Sequence, residues 1–222
     1  MASSDTESSV SATQFGFSVG QGVDWYSYHS KKQQAQWSVA HDVGAGCGIA
    51  EKLLVEQGSL PKSRFKFYKE SGEESAVDLY SVNMIAVCES IHWMDTDRAI
   101  QQFAKELVSG GTLIMTYYSR ALIEDNEPAQ VAWKAAWDLL AEKGQGDLFT
   151  SAYKVANSGM DTVELPQGQW GNVERVYINA PKGSDAFKLD NRTSPSKVGP
   201  HEKQTWEKVN RAVLLTWTNA DI

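Results

Sequence analysis

The sequence contains little cysteine, no excess of positive charge and no long apolar run. Its 222 residues include two cysteines, Cys47 and Cys88, which excludes a disulfide framework and a cysteine-rich zinc module. Lys and Arg total 21 against 28 Asp and Glu, and the net charge of −7 disfavours a nucleic-acid partner, because such a surface must neutralise phosphates. No stretch approaches the ~18 apolar residues of a membrane span, so no membrane partner is expected.

Residues 1–14 are rich in Ser and Thr and low in apolar content. They lack the basic and apolar regions of a secretory signal, so we expect a disordered tail and a cytoplasmic protein. The oligomeric state stays open at this point.

Apolar runs alternate with helical patterns along the first half of the chain. Strands are predicted at Val39–Val43, Met84–Val87 and Leu113–Tyr117. Helices are predicted at Ile49–Gln57, Asp97–Leu107 and Val131–Ala141, the second ended by Gly110-Gly111. This alternation predicts an α/β fold in which the three strands are central neighbours of a mostly parallel sheet.

Other segments give weaker patterns. Arg64–Tyr68 alternates charged and aromatic residues and is predicted as a strand, as is Asn172–Asn179, while Glu202–Thr216 is predicted as a final helix. Trp133 and Trp137 share a helical face, which favours core packing over substrate stacking. Among the histidines, we expect a structural role for His41 and an exposed side chain for His201.

The most informative segment runs from His41 to Gly48. An acid, Asp42, precedes the pattern G-x-G-x-G between a predicted strand and a predicted helix, which is typical of a nucleotide-side loop. Dinucleotide-binding proteins have G-x-G-x-x-G, and Asp42 would repel a pyrophosphate but attract a cationic ligand. A nicotinamide dehydrogenase is therefore the weaker alternative, and a tight turn without a ligand is another.

Three segments carry a resemblance to a known family. Val77–Leu79 is predicted to open the Met84–Val87 strand. The glycine loop, this strand with its opening segment, and Leu107–Leu113, taken in chain order, resemble motifs of class I S-adenosylmethionine-dependent methyltransferases. The segment Glu89–Asp95, with its His-Trp pair, resembles the trans-aconitate methyltransferase-like branch, particularly fungal small-molecule methyltransferases. The resemblance covers about Phe15 to Tyr118.

This resemblance implies a fold and a division of the chain. It implies a Rossmann-like, mostly parallel sheet with helices on both faces, followed by a smaller C-terminal α+β cap region. Residues 15–120 would form the cofactor-binding core, and residues 121–222 would form the cap and remaining sheet elements of the same domain.

The resemblance also implies a site for S-adenosylmethionine, without a metal, and a small-molecule acceptor that is a carboxylate or a hydroxylated secondary metabolite. The implied cofactor-binding residues are Asp42, Gly44, Gly46, Gly48 and Glu89. His92 follows the predicted strand and is the implied catalytic residue, orienting an acceptor oxygen. The alternative is that His92 and Trp93 pack and cap the next helix.

Aromatic residues are expected on the acceptor side. Trp25, Tyr26 and Tyr28 precede the glycine loop, and together with Trp93 they are predicted to form a wall over the reacting centre. Such a wall would suit a planar or apolar acceptor and would exclude water. The alternative is that these rings close the end of the sheet.

The sequence departs from the family pattern after the glycine loop. Residues 49–76 leave room for one helix and one strand, and an acid at the end of a second strand, which would bind the ribose, cannot be named. Either part of the cofactor site has been lost, or the chain lacks loops of a longer protein. A methyltransferase, a binding or regulatory protein on that fold, and a cyclase or isomerase all stay possible.

Overall fold

The computed structural model describes residues 38–46, 63, 66–119, 123, 126–180, 182 and 187–208. The chain divides into two compact units, Met1–Gln36 with Gly46–Phe67 and Asn210–Ile222, and Trp37–Ala45 with Tyr68–Val209. Nearly all described residues belong to the second unit, and the elements below are part of it. The predicted tail 1–14 and helix Ile49–Gln57 lie outside the described residues.

A three-stranded parallel sheet forms the centre of this unit. Its strands are β1 (Ala40–Asp42), β2 (Val82–Cys88) and β3 (Leu107–Thr116), in the order β1-β2-β3. Asp42 is in register with Ala86, and Ala86 with Ile114. Val82, Ile85 and Val87 are fully buried, which is typical of a covered parallel strand. The prediction of three neighbouring parallel strands is confirmed.

Helix α1 (Thr96–Glu106) connects β2 to β3 and lies within the predicted Asp97–Leu107 region apart from its first residue. It begins after Asp95, whose side chain accepts a hydrogen bond from the backbone N–H of Arg98. Ile100 and Phe103, three residues apart, are buried in the same hydrophobic cluster as the β2 side chains. Burial of this apolar face holds the helix on the sheet.

The predicted role of Gly110-Gly111 in ending α1 is wrong. The helix ends at Glu106, and β3 begins at the next residue. Val82 pairs with Leu107 but Met84 pairs with Thr112, so β3 bulges between the two pairs, and Gly110 adopts a φ of 77° there. A bulge with positive φ requires glycine, which explains the residue type at this place.

The segment Val77–Leu79 does not open the following strand, contrary to the prediction. β2 begins only at Val82, and Leu79 is 60% exposed in a turn. Tyr80 adopts a positive φ of 54°, and Ser81 donates its hydroxyl to the Asp78 carbonyl. These turn contacts keep the apolar residues before Val82 out of the sheet.

Helix α2 (Glu127–Lys143) confirms the predicted helix and extends it at both ends. It begins after Asn126, whose side chain accepts from the N–H of Ala129, and ends at Gly144. The prediction that Trp133 packs in the core is wrong, because its side chain is 37% exposed. Its ring contacts the Trp137 ring edge to face, with centroids 5.7 Å apart.

The remaining elements are helix α3 (Asp147–Ala156) and a second parallel sheet, β4 (Glu174–Ile178) with β5 (Lys203–Glu207). β4 confirms the strand predicted at Asn172–Asn179. The prediction of a helix at Glu202–Thr216 is wrong for the described residues of that segment, because Lys203–Glu207 is a strand. Thr205 donates its hydroxyl to Glu174 across this pair, so cross-strand contacts outweigh helix propensity.

Two smaller expectations are also corrected. The described part of the predicted strand Arg64–Tyr68 belongs to no described strand, and Phe67 and Tyr68 are 74% and 55% exposed. His201 is half-buried rather than exposed, and its Nε2 lies 2.9 Å from the Leu165 carbonyl oxygen. In the part of the chain that the structure describes, no helix is long and apolar enough to cross a membrane.

Candidate functional site

The carboxyl ends of the three strands meet at one edge of the first sheet. Cys88, the last residue of β2, is in register with Thr116, the last residue of β3, and β1 ends beside them at Asp42. Ligands of open parallel sheets bind beyond this edge. The residues that directly follow Asp42, Cys88 and Thr116 are therefore the candidates for the site.

The first of these segments is the glycine turn after β1. The N–H of Val43 donates to the Ala86 carbonyl at 2.8 Å, which keeps Val43 on the sheet. Gly44 then adopts a φ of 75°. A Cβ added to Gly44 would lie 2.5 Å from the Cβ of Ser90, so a larger residue has neither the backbone freedom nor the space. Glycine is required here for both reasons.

Ser90 follows β2 and fixes this turn from the other side. Its side chain is buried, and its hydroxyl donates to the Val43 carbonyl at 2.9 Å. The bond joins residues that are 47 positions apart in the chain, so it connects the ends of two strands. Sequence analysis did not single out Ser90, although it lies inside the segment that carried the resemblance.

Glu89 lies between β2 and Ser90 in a strained conformation. Its φ is 55°, in the left-handed region that non-glycine residues rarely adopt. Its N–H donates to the Thr116 carbonyl at 3.0 Å, and its carboxylate accepts the N–H of Tyr118. Burial raises the pKa of Glu89 to about 7, more than the hydrogen bond from Tyr118 lowers it.

His92 lies in a single 3₁₀ turn, Ile91–Trp93, that follows Ser90. Its ring contacts the rings of Trp93 and Tyr117, with centroids 5.1 Å and 5.6 Å away. Nδ1 is buried and has no hydrogen-bond partner among the described residues. Burial lowers the pKa of His92 and raises that of Tyr117 to about 12, so both side chains are neutral near pH 7.

The alternative role of His92 and Trp93 as caps of the next helix is wrong, because Asp95 is the N-cap of α1. Trp93 is 46% exposed, and its ring contacts the Phe149 ring edge to face, with centroids 5.6 Å apart. Phe149 belongs to α3, a helix that sequence analysis did not predict. Trp93 therefore stands beside His92 and Phe149 beside Trp93, and both of these aromatic rings are partly accessible to solvent.

The structure brings five of the predicted site residues to the same edge, Asp42, Gly44, Glu89, His92 and Trp93. Asp42 is half-buried at the end of β1, and Gly46 has a φ of 61°. The other predicted residues, Gly48, Trp25, Tyr26 and Tyr28, lie outside the described residues.

The sequence patterns did not identify Ser90, Tyr117, Tyr118 or Phe149 as site residues. Tyr117 is the last residue of the predicted strand and Tyr118 follows it, so their place at its carboxyl end could have identified them. Phe149 had no comparable signal.

The sequence of this chain is similar to those of two curated proteins. The chain is 26% identical over 199 residues to methyltransferase cfoB of Aspergillus candidus, covering 74% of this chain and 62% of that protein. It is 30% identical over 196 residues to methyltransferase ptaI of Pestalotiopsis fici, covering 71% of this chain and 58% of that protein. These relatives are methyltransferases. No family model matches the sequence.

A solved structure gives a further match. The putative type II methyltransferase from Anaeromyxobacter dehalogenans aligns with a TM-score of 0.47 and 19% identity, covering 64% of each chain. The present chain spans about three fifths of the length of the two curated relatives.

Proposed function

We propose that this chain carries out S-adenosylmethionine-dependent methyl transfer to a small-molecule acceptor. The observation that carries the proposal is the Gly44 turn at the carboxyl end of β1, held beside Glu89 at the end of β2, in a chain whose relatives are methyltransferases. The His92-Trp93 pair supports assignment to the trans-aconitate methyltransferase-like branch. We also propose a cytoplasmic location. The acceptor classes are a carboxylate and a hydroxylated secondary metabolite.

The residues at the strand ends fit the methyl donor. Gly44 is exposed at the end of β1, although Ser90 fills the side on which a Cβ would lie. The exposed backbone of a glycine allows close approach of a ligand. Asp42, Gly44, Gly46 and Gly48 would hold the donor, with Glu89 at its edge. When bound, S-adenosylmethionine supplies an electrophilic methyl group on a positively charged sulfur. Carboxylate side chains attract that positive charge, whereas they would repel the negative charge of a pyrophosphate.

The acceptor side is formed by neutral and aromatic groups. His92 is uncharged near pH 7. Its Nδ1 is buried and has no partner among the described residues, so it would accept a hydrogen bond from an acceptor hydroxyl once movement of a neighbouring side chain exposes it. Trp93 offers a flat apolar surface beside it, and Phe149 extends that surface on the far side of Trp93. Alignment of the reactants and exclusion of water are the main contributions that a protein makes to a direct displacement. We assign these two contributions to His92 and to the aromatic pair.

The donor half of the proposal is tested by calorimetry with S-adenosylmethionine and S-adenosylhomocysteine. The wild-type chain should bind both, and Gly44→Ala should weaken binding about tenfold or more, because the added methyl displaces Ser90. Gly171→Ala is the matched control, since an added Cβ there meets no atom within 4 Å. Absence of binding to the wild-type chain would refute the proposal.

The transfer half is tested by offering carboxylate and hydroxylated acceptors and measuring release of S-adenosylhomocysteine. Release that depends on the acceptor supports methyl transfer. Donor binding without release from any acceptor class would instead favour a binding protein or a cyclase or isomerase on the same fold.

A further inference from the structure

Ser90 makes contacts that connect the two sides of the site. We infer that Ser90 is a positioning residue, which holds the Gly44 turn against the turn that carries His92 and Trp93. The inference rests on the proposed function, because it assigns to Ser90 the placement of the donor-binding glycines. Ser90 itself would touch neither reactant.

The side chain of Ser90 holds the donor side. Val43 is fixed through both of its backbone groups, with its N–H donating to Ala86 and its carbonyl accepting the Ser90 hydroxyl at 2.9 Å. The next residue, Gly44, enters the left-handed region directly after this bond. A carbonyl fixed in this way determines the direction in which the chain leaves the sheet, and therefore where Gly44 lies.

Close packing adds to the hydrogen bond. The Cβ and Oγ of Ser90 would lie 2.5 and 2.6 Å from a Cβ on Gly44, so the serine fills the space that a side chain there would need. A Cβ on Gly72 would lie 2.9 Å from the Val43 side chain, so Val43 is confined from another direction as well. The turn has little room to move while Ser90 is in place.

The backbone of Ser90 holds the acceptor side. Its carbonyl accepts the N–H of Trp93 at 3.0 Å, which closes the 3₁₀ turn that contains His92. A single residue thus bonds to the end of β1 through its side chain and begins the His92 turn through its backbone. Displacement of either segment would change the distance between donor and acceptor, on which direct displacement depends steeply.

The test compares Ser90→Ala with Ser81→Ala. Ser81 is a matched control, because its hydroxyl also donates to a backbone carbonyl, that of Asp78 at 2.7 Å, but at the opposite end of β2. Ser81→Ala should lose less thermal stability than Ser90→Ala, because the Ser81 bond is exposed and the Ser90 bond is buried. Only Ser90→Ala should weaken S-adenosylmethionine binding, by about fivefold to tenfold, as expected for loss of one buried hydrogen bond that shapes a site.

Amide hydrogen exchange supplies a readout that needs no ligand. The amide of Val43, which donates to the Ala86 carbonyl at 2.8 Å, should exchange about fivefold faster or more in Ser90→Ala and at the wild-type rate in Ser81→Ala. Equal effects of the two variants on donor affinity, or unchanged exchange at Val43, would overturn the role of Ser90. A wild-type chain that binds no donor would refute the proposed function instead, and the exchange rates would still decide whether Ser90 holds the turn.

Discussion

Glu89→Gln should make the protein more stable at alkaline pH while changing it little at acidic pH. The Glu89 carboxyl is buried at the end of β2, and its pKa is raised from 4.5 to about 7. A raised pKa means that the folded state binds the proton more tightly than the unfolded state does. Stability from this group is therefore present below about pH 4.5 and lost as pH rises through about 7.

The size of the effect follows from the shift. A rise from 4.5 to about 7 corresponds to about 3.4 kcal/mol at ~1.4 kcal/mol per pH unit, but the carboxyl keeps some solvent access, so we reduce the expected cost to about 2 kcal/mol. Glutamine removes the charge and keeps an oxygen that accepts the Tyr118 N–H. For a chain of this length, about 2 kcal/mol corresponds to roughly 4–8 °C in the melting temperature.

Thermal and urea unfolding of both proteins at pH 5 and pH 8.5 measures this difference. The stability advantage of Glu89→Gln should grow by about 1.5 kcal/mol between the two pH values, because part of the effect is already present at pH 5. Glu142→Gln is the control, because the Glu142 side chain is 70% exposed on α2, and its effect should stay within about 0.5 kcal/mol at both values. A Glu89→Gln advantage that does not change with pH would refute the reasoning that burial raises this pKa.

Three further substitutions test the packing and bonding that support the site. Phe103→Ala should lower the free energy of unfolding by about 3–5 kcal/mol in urea titrations, because Phe103 is fully buried between α1 and the sheet; a loss below 1 kcal/mol would contradict that packing. Glu106→Ala should also cost about 3–5 kcal/mol, since the fully buried carboxylate lies 2.7 Å from His41 Nδ1. Tyr177→Phe should cost about 1–2 kcal/mol by removing a hydroxyl that donates to Asp161, and an unchanged melting temperature would argue against this bond.

The sheet was predictable because its strands carry their own signal. β2 and β3 contain continuous apolar runs, as buried parallel strands do, and α1 has apolar residues at helical spacing. The role of Gly110 was not predictable in the same way. A glycine pair after a helix suggests a helix end, and only the pairing of Leu107 with Val82 shows that a bulge is present. A local sequence pattern does not show which distant residues pair in a sheet.

The same reason explains the error at Lys203–Glu207. Charged and polar residues there fit a helix locally, yet Gln204 donates to the Tyr177 hydroxyl and Trp206 stacks on the Tyr177 ring at 4.8 Å. These contacts exist only once β4 lies alongside. Tertiary contacts of this kind override local propensity, and they also determined that Trp133 lies at the surface.

The place of the candidate site was predictable, but its connections were not. The motifs predicted roles for Gly44, Glu89, His92 and Trp93, and the structure places all four at one edge of the sheet, while their roles stay predictions. Ser90 could not be chosen, because serine is common after strands and its importance comes from a carbonyl 47 positions away. Residues that touch a ligand follow patterns of residue type, whereas residues that position them depend on the fold.

The energetic costs in this unit support a functional role for one edge of the sheet. Glu89 combines a left-handed backbone with a buried carboxyl whose pKa is raised to about 7, and His92 keeps a buried nitrogen without a partner among the described residues. Each feature opposes folding, and contacts maintain each of them. Glu89 is held by hydrogen bonds to the Thr116 carbonyl and from the Tyr118 N–H, and His92 is held by contact with the Tyr117 ring. Strain and perturbed ionisation persist where surrounding structure enforces them, and they cluster at sites that act on ligands. A substitution that relieves the cost, as Glu89→Gln should, is therefore expected to gain stability and to lose function together.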